Sequence, residues 1–187
     1  MEIHKFGLGR DDAALIVIDI QERLAAAMNG AIMAQVIRNA GILITTAKLF
    51  GMPILASEQY RKGLGSTVGP VQEKLSGVDV IEKLDFDCTK DAGLRKKIDG
   101  IGRKKFIIAG IEAHVCVFQT GLSLLGMGRD VFVASDAVAS RRRHDWEYSL
   151  RALAQAGAVV YPTETIAFML MGKAGTDDFK KLAPLFK

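Results

Sequence analysis

Short, unbroken apolar runs alternate along the chain with longer stretches whose apolar residues recur every three or four positions. The first run, Ala14-Leu15-Ile16-Val17-Ile18, contains no polar residue and ends at Asp19. A strand covered on both faces in a parallel sheet has this pattern. Ile32, Val36, Ala40, Leu43, Ala47 and Phe50 then mark one face of a helix, stopped by Gly51 and Pro53. Pro53–Ala56 predicts a second strand. The glycine-rich stretch 57–79 predicts mostly loop, with a helical turn near Val71–Leu75. Further strands are predicted at Val78–Ile81, Lys105–Gly110, Val131–Ala134 and Ala158–Val160. Helices are predicted at 90–99, 116–125, 144–156, 164–171 and 176–184. Such alternation predicts an α/β protein, a three-layer α/β/α sandwich around a mostly parallel central sheet. Ligands of such folds bind beyond the carboxyl ends of the strands.

Composition narrows the class. A length of 187 residues predicts a single domain over 1–187. With 49% hydrophobic and 25% charged residues, a disordered chain is excluded. No apolar run approaches the ~20 residues of a membrane span. The opening MEIHKFGLGRDD has no apolar leader, so a cytoplasmic protein is expected. The net charge of +4 is spread along the chain and predicts no nucleic-acid partner. Arg141-Arg142-Arg143-His144 opens a predicted helix without interleaved aromatics, which reads as a solvated loop or subunit contact. Gly100-Ile101-Gly102 lacks a third glycine in step and precedes a strand, so no dinucleotide cofactor is expected. Two cysteines, Cys88 and Cys116, exclude a disulfide scaffold, and Cys88 carries no partner signal.

Three chemically capable residues follow predicted strands: Asp19, Lys83 and Cys116. Cys116, at the predicted start of a helix, would have its thiolate favoured by the helix dipole. Taken singly, each has an ordinary reading: Cys116 as core, Asp19 as a helix cap, Lys83 as surface. Spacing alone does not join them.

A family resemblance does. Ala14–Gln21 (ALIVIDIQ), Ser57–Gly65 (SEQYRKGLG), Glu82–Phe86 (EKLDF), Ala109–Thr120 (AGIEAHVCVFQT) and Ser135–Arg141 (SDAVASR) stand in order over nearly the whole chain. In these stretches the sequence resembles the isochorismatase-like cysteine hydrolases, a Rossmann-like group, and within it the isochorismatase-domain-containing branch. The resemblance implies a triad of Asp19, Lys83 and Cys116: Asp19 as proton acceptor and donor, Lys83 lowering the thiol pKa by its charge. It also implies a cis peptide at Ile111–Glu112 and an oxyanion hole from the backbone N–H groups of Glu112 and Cys116. Gln59, Tyr60 and His114 are the expected substrate contacts. Nicotinamidases of the group hold a metal through an Asp-x-His pair, where this chain has Glu58-Gln59-Tyr60 and no histidine between His4 and His114. No metal or other cofactor is therefore expected. The implied activity is hydrolysis of a small amide-type or related substrate through an acyl-enzyme, in a homo-oligomer of two or more copies. The alternatives are a vinyl-ether hydrolase or a non-catalytic interaction protein keeping the fold.

Overall fold

The computed structural model describes residues 3–187. Its strands are β1 (Ala13–Ile18), β2 (Ile54–Gln59), β3 (Val80–Lys83), β4 (Lys105–Ile111), β5 (Asp130–Ala139) and β6 (Val159–Tyr161). They form one sheet in the order β3-β2-β1-β4-β5-β6, with every strand pairing parallel. The helices are α1 (Glu22–Ala26), α2 (Gly30–Leu49), α3 (Arg61–Leu64), α4 (Gly69–Lys74), α5 (Ala92–Gly100), α6 (Phe118–Gly126), α7 (Arg143–Ala156), α8 (Thr163–Met171) and α9 (Asp177–Leu182). The expected three-layer sandwich is the one observed.

Alternation along β1 supplies both faces of the sheet. Leu15 and Val17 pack with Val36 and Leu43 of α2, Val71 of α4 and Leu170 of α8. Ile16 and Ile18 pack on the other side with Leu94 and Ile98 of α5, Leu124 of α6 and Leu153 of α7. Because both faces are covered, the whole of β1 is buried, as its unbroken apolar run predicts.

The strand order turns back between β1 and β4, the place at the carboxyl ends where ligands of such folds bind. Gly110 makes the close approach there possible. At φ +139°, a Cβ on it would lie 2.1 Å from the Ile18 carbonyl oxygen, so no larger residue fits.

Several elements run further than the apolar pattern predicts. β2 continues through Ser57, Glu58 and Gln59, and β3 is shifted to end at Lys83. β5 extends to Ala139 past a register shift opposite Ile108 and Gly110. Its polar interruption is satisfied at long range. Asp136 accepts hydrogen bonds from the Thr163 N–H and hydroxyl, both at 2.7 Å, and its carbonyl accepts from Asn39 at 2.9 Å. Ile32, expected on the buried face of α2, is instead 45% exposed and lies in the first turn of the helix, which starts at Gly30.

Candidate active site

Asp19, Gln59 and Lys83 stand at the carboxyl ends of three adjacent strands. Asp19 follows β1 directly, in a left-handed conformation (φ +51°) that few residues other than glycine, asparagine and aspartate tolerate. Its carboxylate is fully buried and engaged at both oxygens. Lys83 Nζ donates to Oδ2 at 2.7 Å, and Ser57 Oγ donates to Oδ1 at 2.7 Å. Lys83 Nζ also donates to Gln59 Oε1 at 2.6 Å and to the Asp85 carbonyl at 3.2 Å. The amide of Gln59 is thus used at both ends, since its Nε2 donates to the Leu84 carbonyl at 2.7 Å. Gln21 fixes the Gln59 backbone in turn, accepting from its N–H at 2.6 Å and donating to its carbonyl at 3.0 Å.

Cys116 faces this network from the turn after β4. The turn is not the α-helical start expected. Ala113–Val117 forms a π-helical turn, and α6 begins only at Phe118. The Ile111–Glu112 peptide before it is cis, as the resemblance implies. Cys116 is buried, and its Sγ lies 4.0 Å from Gln59 Oε1.

The electrostatics correct one expectation. Burial is the chief influence on the Cys116 thiol, the Asp19 charge adds to it, and both disfavour the thiolate. Lys83 pulls the other way without prevailing, so the thiol pKa is held well above its ordinary value. The positive charge of Lys83 is already matched by Asp19. Burial opposes that charge most strongly, but the attraction of Asp19 and the two cysteines prevails and keeps Lys83 above the ordinary lysine value. At rest the site therefore holds a thiol beside a carboxylate–ammonium pair.

Two participants were not visible in the sequence pattern. Ser57 is a buried hydroxyl bound to Asp19, and its only signal was a polar residue opening a matched stretch. Cys88, which carries no partner signal in the sequence, has its Sγ 3.7 Å from Ser57 Oγ and packs in the same apolar cluster as Cys116. Burial first and Asp19 second push its thiol up to about 11.

The remaining expected contacts are Tyr60 and His114. Tyr60 is 47% exposed and left-handed (φ +36°), with its ring so close over Gly63 that a Cβ there would meet Cε1 at 2.3 Å. Below it, buried Glu58 binds the Thr67 N–H at 2.6 Å, the Thr67 hydroxyl at 2.7 Å, and Arg61. Burial works against that carboxylate, but these bonds more than offset it and lower its pKa. Glu58 thereby anchors the loop carrying Tyr60. His114 has its Nδ1 2.9 Å from Ser140 Oγ. Beyond it lies a cavity of about 430 Å³, lined by Ile32, Val36, Val138, Ser140 and Trp146 among others, but not by Asp19, Lys83 or Cys116. Among the described residues no group of three His, Cys, Asp or Glu side chains is placed to hold a metal ion.

The isochorismatase domain family model matches residues 13–165. The secreted isochorismatase effector Isc1 of Phytophthora sojae is 34% identical over 179 residues, covering 94% of this chain and 84% of that protein. Among solved structures, the MAR1 ribonuclease of Caenorhabditis elegans is 31% identical with a TM-score of 0.87, covering 96% of this chain and 91% of that one. YcaC of Escherichia coli, described as an octameric hydrolase of unknown specificity, is 25% identical with a TM-score of 0.88, covering 96% and 89%. With a family model spanning most of the chain, this protein belongs to the isochorismatase family, a family of hydrolases.

Proposed function

We propose that the protein is a metal-independent cysteine hydrolase that cleaves a small amide, ester or related bond through an acyl-enzyme on Cys116. The observation that carries this reading is the convergence of a fully buried Asp19–Lys83 ion pair on the Cys116 thiol. A thiol at rest needs a base at the moment of attack, and Asp19 is the anionic group beside it. As Sγ bonds to the substrate carbonyl carbon, its proton passes to Asp19. The backbone N–H groups of Glu112 and Cys116 receive the oxyanion. Asp19 then gives the proton to the leaving nitrogen or oxygen as that bond breaks. Water attacks the thioester, Asp19 takes a proton from it, and the proton returns to sulfur. Lys83, donating to Asp19 Oδ2 at 2.7 Å, holds the carboxyl in place through these transfers. Gln59, with both ends of its amide engaged, positions Lys83, while Tyr60 and His114 border the substrate.

Vinyl-ether hydrolysis is the second reading, supported by the resemblance to an isochorismatase effector. It needs Asp19 as a proton donor but no sulfur nucleophile. A homo-oligomer is the expected assembly, given the octameric neighbour.

Purified protein offered a panel of small amides and esters, isochorismate, and RNA separates the possibilities. Turnover of an amide or ester that is lost in Cys116→Ala supports the reading. Isochorismate turnover that survives Cys116→Ala moves the protein to the vinyl-ether class. RNA cleavage that survives it would align the chain with its ribonuclease-named neighbour, and no turnover of any kind would favour an interaction protein.

A further inference from the structure

We infer that Arg141 is a positioning residue for the oxyanion turn, acting through the Glu112 carboxylate; this rests on the reading of Cys116 as an acylated nucleophile. The basic run beginning at Arg141 looked like solvated surface in the sequence, and Arg142 and Arg143 are indeed exposed. Arg141 is exposed as well, but its guanidinium is tied to the turn leaving β4. Its Nε donates to Glu112 Oε1 at 2.9 Å, and the Glu112 side chain is 9% exposed against 58% for Arg141. The residue before it makes a second tie, Ser140 Oγ lying 2.9 Å from His114 Nδ1. Two consecutive residues leaving β5 thus grip two residues of the turn leaving β4, where Ile111 and Ala139 are already paired in the sheet.

The grip falls on the residue whose N–H faces the developing charge in the reading above. Glu112 starts the π-helical turn, and its carbonyl accepts from the Val115 N–H at 3.1 Å and the Val117 N–H at 3.2 Å. Carbonyl and side chain are therefore both tied, which restrains the Glu112 Cα to which the donor N–H is attached. Donors of this kind work only when held where the oxyanion forms, without reorganisation during the reaction. Charge gives a second reason. A bare carboxylate on the donor residue would repel a developing oxyanion, and it would turn toward water to recover its solvation. Arg141 removes both effects.

Two reagents at the same sulfur separate this role from simple support of the fold. Acylation of Cys116 by p-nitrophenyl acetate passes through an oxyanion, whereas alkylation by iodoacetamide is a displacement at a saturated carbon with none. Arg141→Gln is expected to slow acylation by about tenfold or more, while the alkylation rate stays within about twofold of the unsubstituted protein. Arg141→Lys, which keeps a cationic donor, is expected to recover most of the loss. In a Glu112→Gln background, where no carboxylate needs neutralising, Arg141→Gln is expected to cost much less. Equal slowing of both reactions, or no change in acylation, would overturn the inference and leave the nucleophile intact. Failure of the unsubstituted protein to acylate at Cys116 would instead overturn the reading of the site, and this inference with it.

Discussion

On the β1–β3 side of the cleft, Asp19, Ser57 and Lys83 are 0%, 2% and 1% exposed and joined in one hydrogen-bonded network. On the β4–β5 side, the nucleophile turn is held by two side-chain ties from the end of β5, one of them from the largely exposed Arg141. The first wall sets charge and the second sets direction. Burial makes the first wall costly to disturb, because an unpaired ion there has no water to turn to. The second wall can be altered at small cost in stability, so its contribution is to be sought in rates.

Substitution of the first wall is therefore expected to have the largest effect. Lys83→Met leaves the Asp19 carboxylate buried and unpaired, and it is expected to lower the unfolding free energy by about 3–5 kcal/mol in denaturant titration. Adding Asp19→Asn should recover much of that loss, since the stranded charge is then gone. A double variant no more stable than Lys83→Met would show that packing, not charge, holds this wall together. Gly110→Ala, at the seam between the walls, puts a Cβ against the Ile18 backbone in a conformation alanine resists. A loss of about 3 kcal/mol is expected, and a neutral result would contradict the close approach of β4 to β1.

A pH series sharpens the comparison. The Cys88 thiol is raised from an ordinary 9.0 to about 11, so the folded state prefers its protonated form. That contribution is complete below the unfolded value of about 9 and fades as pH rises through the folded one. Lys83, also raised, loses its contribution in the same direction above the ordinary lysine value of 10.5. Stability should be flat near neutrality and fall by about 2–3 kcal/mol between pH 9 and 11 through Cys88 alone, a part that Cys88→Ala should abolish. A rise in stability between pH 7 and 9 would mean instead that a thiolate already exists at rest. The smallest effect expected is none: with no suitable ligand set among the described residues, a chelator should leave turnover unchanged, and activity lost to chelator and restored by zinc would refute that.

The layered fold was legible because covered strands and one-sided helices leave apolar periods of their own, as in Ala14–Ile18 and along α2. The ends of β2 and β5 were not legible. Ser57, Gln59 and Asp136 are polar residues satisfied by partners far along the chain, and an apolar pattern carries no record of those. Asp19, Lys83 and Cys116 were each found as residues following predicted strands, but only the resemblance joined them, because Asp19 and Lys83 meet across 64 residues of sequence. The Arg141–His144 run reads as a solvated loop or subunit contact in sequence, although the Arg141 side chain is tied to Glu112 in the turn after β4. Cys88 was missed because nothing in its local sequence announces Ser57.

The central claim is that Cys116 attacks carbonyl carbon with Asp19 as its base. It is tested most directly by rapid quenching with p-nitrophenyl acetate, followed by peptide mass mapping of the unsubstituted protein and Asp19→Asn. The account predicts an acetyl group on Cys116 within the burst phase, with Cys88 unmodified, and its near-complete loss in Asp19→Asn. Acetyl on Cys88 or on surface lysines instead, or equal acetylation of Cys116 in both proteins, would contradict it.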